Sequence, residues 1–276
     1  MLDGDTRIIA HVGYPTTTFK SPLIYNPWFA SRGVNAAVVP MGVRAPDFAR
    51  AFPAICAFSN FAGALITMPH KAAVIDLLDD ISTTAKICAA CNAVRRDDDG
   101  RLVGEMFDGD GFVLGARRND AEIEGRAALV VGAGGVGSAI AASLAAAGVA
   151  RLGVYDLRTK AMESLAARLA AQYPGLQLSL GVNDPVGFDL VVNATPLGMA
   201  ENDPLPLDVS RLAPETYVGE VVLKAQRTPF LTAAQARGCR TQIGLDMLFE
   251  QIPRYLAFFG FPAATASELR AVARLD

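Results

Sequence analysis

The chain has 276 residues, 51% of them hydrophobic and 19% charged, with formal net charge −3 and a sequence pI of 5.5. Ordinary domains carry roughly a quarter charged residues, so this chain can bury a large core, and disorder, which needs low hydrophobicity and high net charge, is excluded. An acidic chain without a Lys/Arg cluster also lacks the counterion-release term that drives nucleic-acid binding. The segment up to Arg7 is polar and unlike a secretory signal, so the expected compartment is the cytoplasm. Residues 8–12 read as a strand and residues 22–31 as a helix, with Ser21 as its cap and Pro22 at its first position. A second strand follows at 34–39, a helix at 46–59 and a third strand at 62–67, after which Pro69 opens a helix carrying Lys71 to Leu78. Residues 94–96 and 102–104 flank Asp98-Asp99-Gly100 as a hairpin, and the run from Asp97 to Asp99 is a solvated turn, not a metal site.

After Gly125 the alternation restarts: strands at 128–131, 152–155 and 189–193, with an Ala-rich helix at 137–147 and another at 160–172. Residues 217–223 and 240–243 read as two more strands around a helix at 229–237, and residues 245–275 read as helices. Two βα runs joined near residue 110 predict an α/β protein of two domains with parallel sheets.

The four cysteines are Cys56, Cys88, Cys91 and Cys239. Cys88 and Cys91 form a C-x-x-C, which can be a redox pair, half a zinc site, or buried reduced thiols in an Ala-rich helical context. A structural zinc needs four ligands, no second pair exists, and the two histidines, His11 and His70, are scattered, which favours reduced thiols.

Residues 127–150 carry no charge at all. About 20 such residues can span a bilayer, but this run holds Gly132-Ala133-Gly134-Gly135-Val136-Gly137, which fits G-x-G-x-x-G between a strand and a small-residue helix. A membrane span would expose that break to lipid, which offers no hydrogen bonds. In a βα context the glycines permit a tight turn, close approach of backbone N–H groups to a pyrophosphate and close helix–strand packing. The alternative is a glycine turn serving packing alone. Asp156 ends the next strand, about 20 residues beyond the loop, where a carboxylate accepts from an adenosine ribose and repels a 2′-phosphate. Arg158 nearby can instead accommodate that phosphate. The balance predicts NAD, with NADP the alternative.

Ligands of open parallel sheets bind beyond the carboxyl ends of strands. Lys71 falls there, in what reads as a first helical turn, where its charge opposes the helix dipole and hints at a role other than stability. Taken alone it is equally a surface lysine. In order along the chain stand Gly13-Tyr14-Pro15, Lys20-Ser21-Pro22, residues 67–71, Ala90-Cys91-Asn92, residues 104–111 around Asp108, the glycine loop, residues 193–199, Thr228-Pro229-Phe230-Leu231 and Gln251. This combination resembles the shikimate dehydrogenase family over almost the whole chain, and residues 156–159 and 218–222 look more like its NAD-using quinate/shikimate branch. No single motif carries the resemblance.

The resemblance implies a substrate domain over residues 1–109, a Rossmann-type nucleotide domain over 110–243, and C-terminal helices over 244–276 returning to the first. It implies reversible hydride transfer between a nicotinamide and a ring carbon bearing a hydroxyl or ketone, of the kind used in aromatic amino acid biosynthesis. Lys71 and Asp108 match the catalytic pair, with Lys71 as acid/base and Asp108 holding it. Ser21, Thr67, Asn92 and Gln251 match substrate-contacting positions. Nucleotide contacts are implied at Leu157, Arg158, Thr195, Val221 and Gly244, besides the loop and Asp156. The implied partner is a small-molecule substrate, with no nucleic acid or membrane, for a monomer or homodimer.

Four positions depart from the pattern. Phe19 replaces the first serine of a pair that, with a tyrosine replaced here by Leu223, grips the substrate carboxylate in the family. Leu65 replaces an asparagine that contacts a hydroxyl, and Phe107 replaces a threonine. Each buried polar group left unpaired costs roughly 1–3 kcal/mol, so shikimate binding is expected to weaken, unless Thr16, Thr17 and Thr18 supply hydroxyls. The leading expectation is an NAD-dependent dehydrogenase of the shikimate/quinate type acting on a cyclic hydroxy acid. The alternatives are a related enzyme with a less polar substrate, or a catalytically weak NAD-binding regulator, which would need neither Lys71 nor Asp108.

Overall fold

The computed structural model describes residues 2–223 and 227–275. The chain divides into two compact units, residues 1–107 with 252–276, and residues 108–251.

The first unit runs β1 (Arg7–Gly13), α1 (Pro22–Ser31), β2 (Ala36–Gly42), α2 (Phe48–Cys56), β3 (Phe61–Ile66), β4 (Asp80–Ile81), α3 (Thr83–Cys88), β5 (Ala93–Arg96) and β6 (Leu102–Glu105). Its sheet has the order β2-β1-β3-β5-β6-β4. β1 pairs parallel with β2 and β3, while the β5–β6 hairpin enters antiparallel, so this sheet is mixed where the βα alternation predicted a parallel one. Alternation along the strands sorts the two faces. Ala10, Val12, Ala64 and Ile66 meet Phe48, Phe52 and Val74 in one core cluster, which leaves Ile9, His11 and Leu65 on the opposite face. In α1, Ile24, Tyr25, Trp28 and Phe29 are buried, the i, i+1, i+4, i+5 stripe of a helix lying on a sheet.

The second unit runs α4 (Asp108–Arg118), β7 (Ala127–Val131), α5 (Gly135–Ala146), β8 (Arg151–Tyr155), α6 (Thr159–Gln172), β9 (Gln177–Leu180), β10 (Leu190–Asn193), β11 (Tyr217–Glu220), α7 (Pro229–Ala236) and β12 (Arg240–Gln242). Its order, β12-β11-β10-β7-β8-β9, is parallel throughout, a doubly wound sheet with its switch point at β7. The division between units falls within α8 (Gly244–Phe258), and α9 (Ala266–Val272) belongs to the first unit. There Thr265 and Glu268 form a capping box, and the Arg274 amide donates to Leu23 of α1 at 2.9 Å. The uncharged run 127–150 is β7, the glycine loop and α5; no helix among the described residues is long and apolar enough to cross a membrane.

Several local expectations are corrected. The segment after Pro69 is a turn leading to a 3-10 helix at Ala73–Leu77, so Lys71 lies outside any α-helix and the dipole argument lapses. The Lys71 carbonyl accepts from the Cys91 amide at 2.7 Å instead of a helical partner. Ser21 has helical dihedrals and its side chain caps nothing; its carbonyl accepts from the Ile24 and Tyr25 amides. The helix expected from residue 46 begins as a 3-10 turn, Ala45–Asp47. Among the elements not anticipated are β4, β9 and α4. α4 contains Gly109, Gly111 and Gly115, a composition that reads as loop. Those glycines are what its packing needs: a Cβ on Gly109 would sit 2.0 Å from the Ala139 carbonyl oxygen of α5, and one on Gly111 2.5 Å from the Met247 oxygen of α8.

All four cysteines are buried, and none is in a disulfide among the described residues. Cys91 donates to the carbonyls of Ala93 and Glu105, and burial pushes its thiol up to about 12. That is the environment of an inert core thiol, not of a redox nucleophile.

Candidate active site

In the second unit the loop after β7 forms a cradle. Gly132 has φ +112°, and a Cβ on Gly137 would lie 1.9 Å from the Gly132 carbonyl oxygen, so the first helical turn closes directly onto the strand end. Gly134 is the N-cap of α5. The N–H groups of Gly135, Val136 and Gly137 in its first turn lack partners within the helix, and with the helix dipole they suit an anion. Gly137→Ala is expected to abolish dinucleotide binding and lower Tm by several degrees, since backbone must move to admit the methyl. Tight cofactor binding by that variant in a calorimetric titration would remove the loop from the site.

Asp156, just past β8, accepts from the Ala133 amide at 2.6 Å through Oδ2, which pins the loop to the neighbouring strand end. It also accepts from the Arg158 backbone at 2.8 Å and from Arg158 Nε and Nη2, each at 3.0 Å. The Arg158 guanidinium, aided by the two backbone donors, holds this carboxyl down at about 2 despite partial burial. Leu157 between them is 88% exposed. Ala194, after β10, lies against both Gly132 and Gly137. Thr195 Oγ1 donates to Asn193 Oδ1 at 2.6 Å and accepts from the Leu197 amide, fixing that turn. The Val221 amide donates to the Asn193 carbonyl, and Gly244 at the start of α8 abuts the Val221–Val222 backbone. Loops from β7, β8, β10 and β11 thus converge at the carboxyl edge, and a cradle of backbone donors flanked by the Asp156 carboxylate has the donor set that suits a nicotinamide dinucleotide.

Glu220, at the end of β11, was not singled out in the sequence. It is wholly buried, accepts from Thr228 Oγ1 at 2.8 Å, and leaves Oε1 without a partner among the described residues. Burial pushes its carboxyl up to about 7, against the hydrogen bonds from Thr228 and Asn193. Because this value lies above the 4.5 of an unfolded glutamate, the folded state holds the proton more tightly. The contribution to stability is full below about pH 4.5 and is lost as pH rises through 7. Glu220→Gln is therefore expected to be stabilised relative to the parent at pH 8.5 by on the order of 1–3 kcal/mol, and not at pH 5. Urea titrations of both proteins at the two pH values check this; equal differences at both would show that Glu220 does not titrate near 7.

Asp108 is buried in the first turn of α4, and Gln251 is buried on α8 with Oε1 unpartnered. Both belong to the second unit, where Gly111 of α4 lies against the Gln251 backbone. Leu223 is half-buried after β11.

In the first unit the loops after β1, β2 and β3 are stitched by their backbones: Thr67 donates to Val12, Tyr14 to Met68 and Val43 to Gly13, at 3.0–3.1 Å. This sets His11, Phe19, Leu65 and Thr67 at one carboxyl edge. His11 and Leu65 are register partners across β1 and β3, and Phe19 and Thr67 both lie against Gly13. Lys71 is half-buried four residues beyond Thr67, close enough for its charge to act on His11. Asn92 is buried beside them: its carbonyl accepts from Ile66, its Oδ1 from the Phe107 amide, and its Nδ2 has no partner. Ser21 is half-buried at the start of α1, while Thr17 and Thr18 are exposed in a 3-10 turn. Phe107 has a packing explanation, since its ring sits edge-on to Tyr255 at 5.0 Å and to Phe258 at 5.6 Å.

His11 was passed over in the sequence, although a polar residue closing an apolar strand at the ligand edge was the available signal. His70 is different: stacked on Phe48 at 4.0 Å with Nε2 2.7 Å from the Val43 carbonyl, it is a satisfied core histidine.

Residues 12–94 match the family model described as the shikimate dehydrogenase substrate binding domain. A shikimate dehydrogenase (NADP(+)) of Rhodospirillum rubrum is 35% identical, covering 98% of both chains. Among solved structures, a quinate dehydrogenase from Corynebacterium glutamicum in complex with NAD is 30% identical with TM-score 0.87, covering 97% of this chain and 98% of its own. A 5-ketofructose reductase from a Gluconobacter species is 27% identical with TM-score 0.87, covering 97% of each. With a glycine cradle for a dinucleotide in one unit, a lysine-bearing sheet edge in the other and relatives of this identity along its whole length, the chain belongs to the shikimate dehydrogenase family and is an NAD(P)-dependent oxidoreductase of the shikimate/quinate type.

Proposed function

We propose that the protein is an NAD-dependent dehydrogenase of a small hydroxylated ring compound, with Lys71 as its acid/base and Asp108 as the group that positions Lys71. A bound nicotinamide accepts or supplies the hydride. As a carbonyl carbon gains hydride its oxygen becomes an alkoxide, and the Lys71 ammonium stabilises and protonates that oxygen. In the oxidation direction the neutral amine accepts the hydroxyl proton. Asn92 Nδ2, Thr67, Ser21 and Gln251 orient the hydroxyl groups. The observation that supports NAD is the Asp156–Arg158 pair: the arginine that would receive a 2′-phosphate is engaged by the carboxylate that would repel one.

A cyclic hydroxy acid is the substrate class the shikimate- and quinate-acting relatives suggest. A less polar substrate is favoured by one observation, the apolar side chains of Phe19 and Leu65 at the edge that holds Thr67 and Lys71. Screening shikimate, quinate and less polar cyclic alcohols for NAD reduction separates the two. Absence of turnover with every substrate, beside tight NAD binding, would sink the dehydrogenase reading.

A further inference from the structure

We propose that the stacked His11–Phe19 pair is the specificity determinant of the first unit's sheet edge, presenting a neutral imidazole and an aromatic face that select an uncharged polyhydroxy ketone over a carboxylate-bearing one. The inference rests on the less polar reading above and names its substrate class.

The ring centroids of His11 and Phe19 are 3.9 Å apart with an interplanar angle of 22°, a stacked pair. His11 is 7% exposed and its Nδ1 has no hydrogen-bond partner among the described residues. Leaving a buried ring nitrogen unpaired costs roughly 1–3 kcal/mol, and such a group calls for an explanation such as a ligand. His70, in the same unit, shows what a purely structural histidine looks like, with its Nε2 satisfied by a carbonyl. The position of His11 also points to a ligand: it stands at the carboxyl end of β1 with Leu65 beside it on β3, the edge where parallel sheets bind ligands.

The charge state of the pair follows from its surroundings. Burial, and secondarily the positive charge of Lys71, depress the His11 imidazole to about 3, so it is neutral at any ordinary pH. Among the described residues, Lys71 is the charged group that acts on His11. If that ammonium were committed to a substrate carboxylate, it would not be available at the reacting oxygen. A carboxylate would then lie against the face of Phe19 and the side chain of Leu65, which offer no donor, and desolvating an anion without partners is costly. An uncharged polyhydroxy ketone carries no such penalty. One of its hydroxyls satisfies His11 Nδ1, another accepts from Asn92 Nδ2, its C–H face lies on Phe19, and Lys71 is left for the carbonyl oxygen.

The test is NADH oxidation by the full chain with 5-keto-D-fructose as the uncharged probe and 3-dehydroshikimate and 3-dehydroquinate as carboxylate probes. We expect kcat/KM for the uncharged probe to exceed that for either acid at least tenfold, and His11→Val/Phe19→Ser to move the ratio at least tenfold toward the acids. A parent preference for the acids, or an unchanged ratio in the variant, overturns the inference. If no probe turns over, the dehydrogenase reading fails separately. The pair is then read by the imidazole nitrogen resonances of His11 with NAD present: a shift with 5-keto-D-fructose and none with shikimate supports it. A shift with shikimate, or with neither, overturns it.

Discussion

Replacing Lys71 with alanine is expected to lower kcat by at least ~10²-fold, the lower end of what a positioned acid/base contributes. That corresponds to about 2.7 kcal/mol of transition-state stabilisation. The loss falls on kcat because the ammonium matters most when negative charge has developed on the substrate oxygen, not when the ketone is merely bound. Folding is expected to survive the change. The turn around Lys71 is held by main-chain bonds, His70 to Thr67 at 2.9 Å and Cys91 to Lys71 at 2.7 Å, which alanine retains. Dinucleotide affinity is expected to stay within about twofold, since every loop of the cradle belongs to the other unit. Lys71→Arg is expected to rescue little, because a guanidinium does not give up its proton in turnover. Steady-state kinetics beside a thermal melt decide the matter: a folded alanine variant with near-normal kcat would take Lys71 out of the chemistry.

Paired kinetics with the two cofactors are expected to give kcat/KM at least tenfold higher with NAD than with NADP, and Asp156→Ser to narrow that ratio at least tenfold. The curated relatives are named for NADP, so the expectation depends on how this chain arranges the end of β8. Asp156 is held ionised at about 2 by Arg158 and by two backbone donors, and it lies where the adenosine ribose is expected. A 2′-phosphate brought against it would meet like charge, and the Arg158 charge is already offset by two bonds to the same carboxylate. Removing the carboxylate frees the guanidinium and lifts the repulsion together, which is why one substitution is expected to move the ratio so far. It also removes the Oδ2 anchor of the Ala133 amide, so affinity for both cofactors is expected to fall; the ratio, not either KM alone, carries the result. A tenfold NADP preference in the parent protein would reverse the assignment.

The sequence by itself determined the two α/β runs, the glycine cradle with its flanking acid, and the order of motifs that marks the family. These are local signals. Period-2 and period-3.6 apolar patterns, glycines at fixed offsets and turn residues all act over a few neighbouring positions, so they are readable without a fold. What only the tertiary structure decided depends on partners distant in the chain. α4 forms from a glycine-rich segment because Ala139 and Met247 approach too closely for side chains. Lys71 leaves the expected helix because its carbonyl is taken by Cys91. Phe107, which looked like a pocket substitution, belongs to an aromatic cluster with Tyr255 and Phe258. Most telling is the pair of histidines, alike in sequence as isolated polar residues in apolar settings. Packing satisfied one and left the other beneath Phe19 with an unpartnered nitrogen, because hydrogen-bond satisfaction is a property of the assembled neighbourhood and not of the strand that carries the residue.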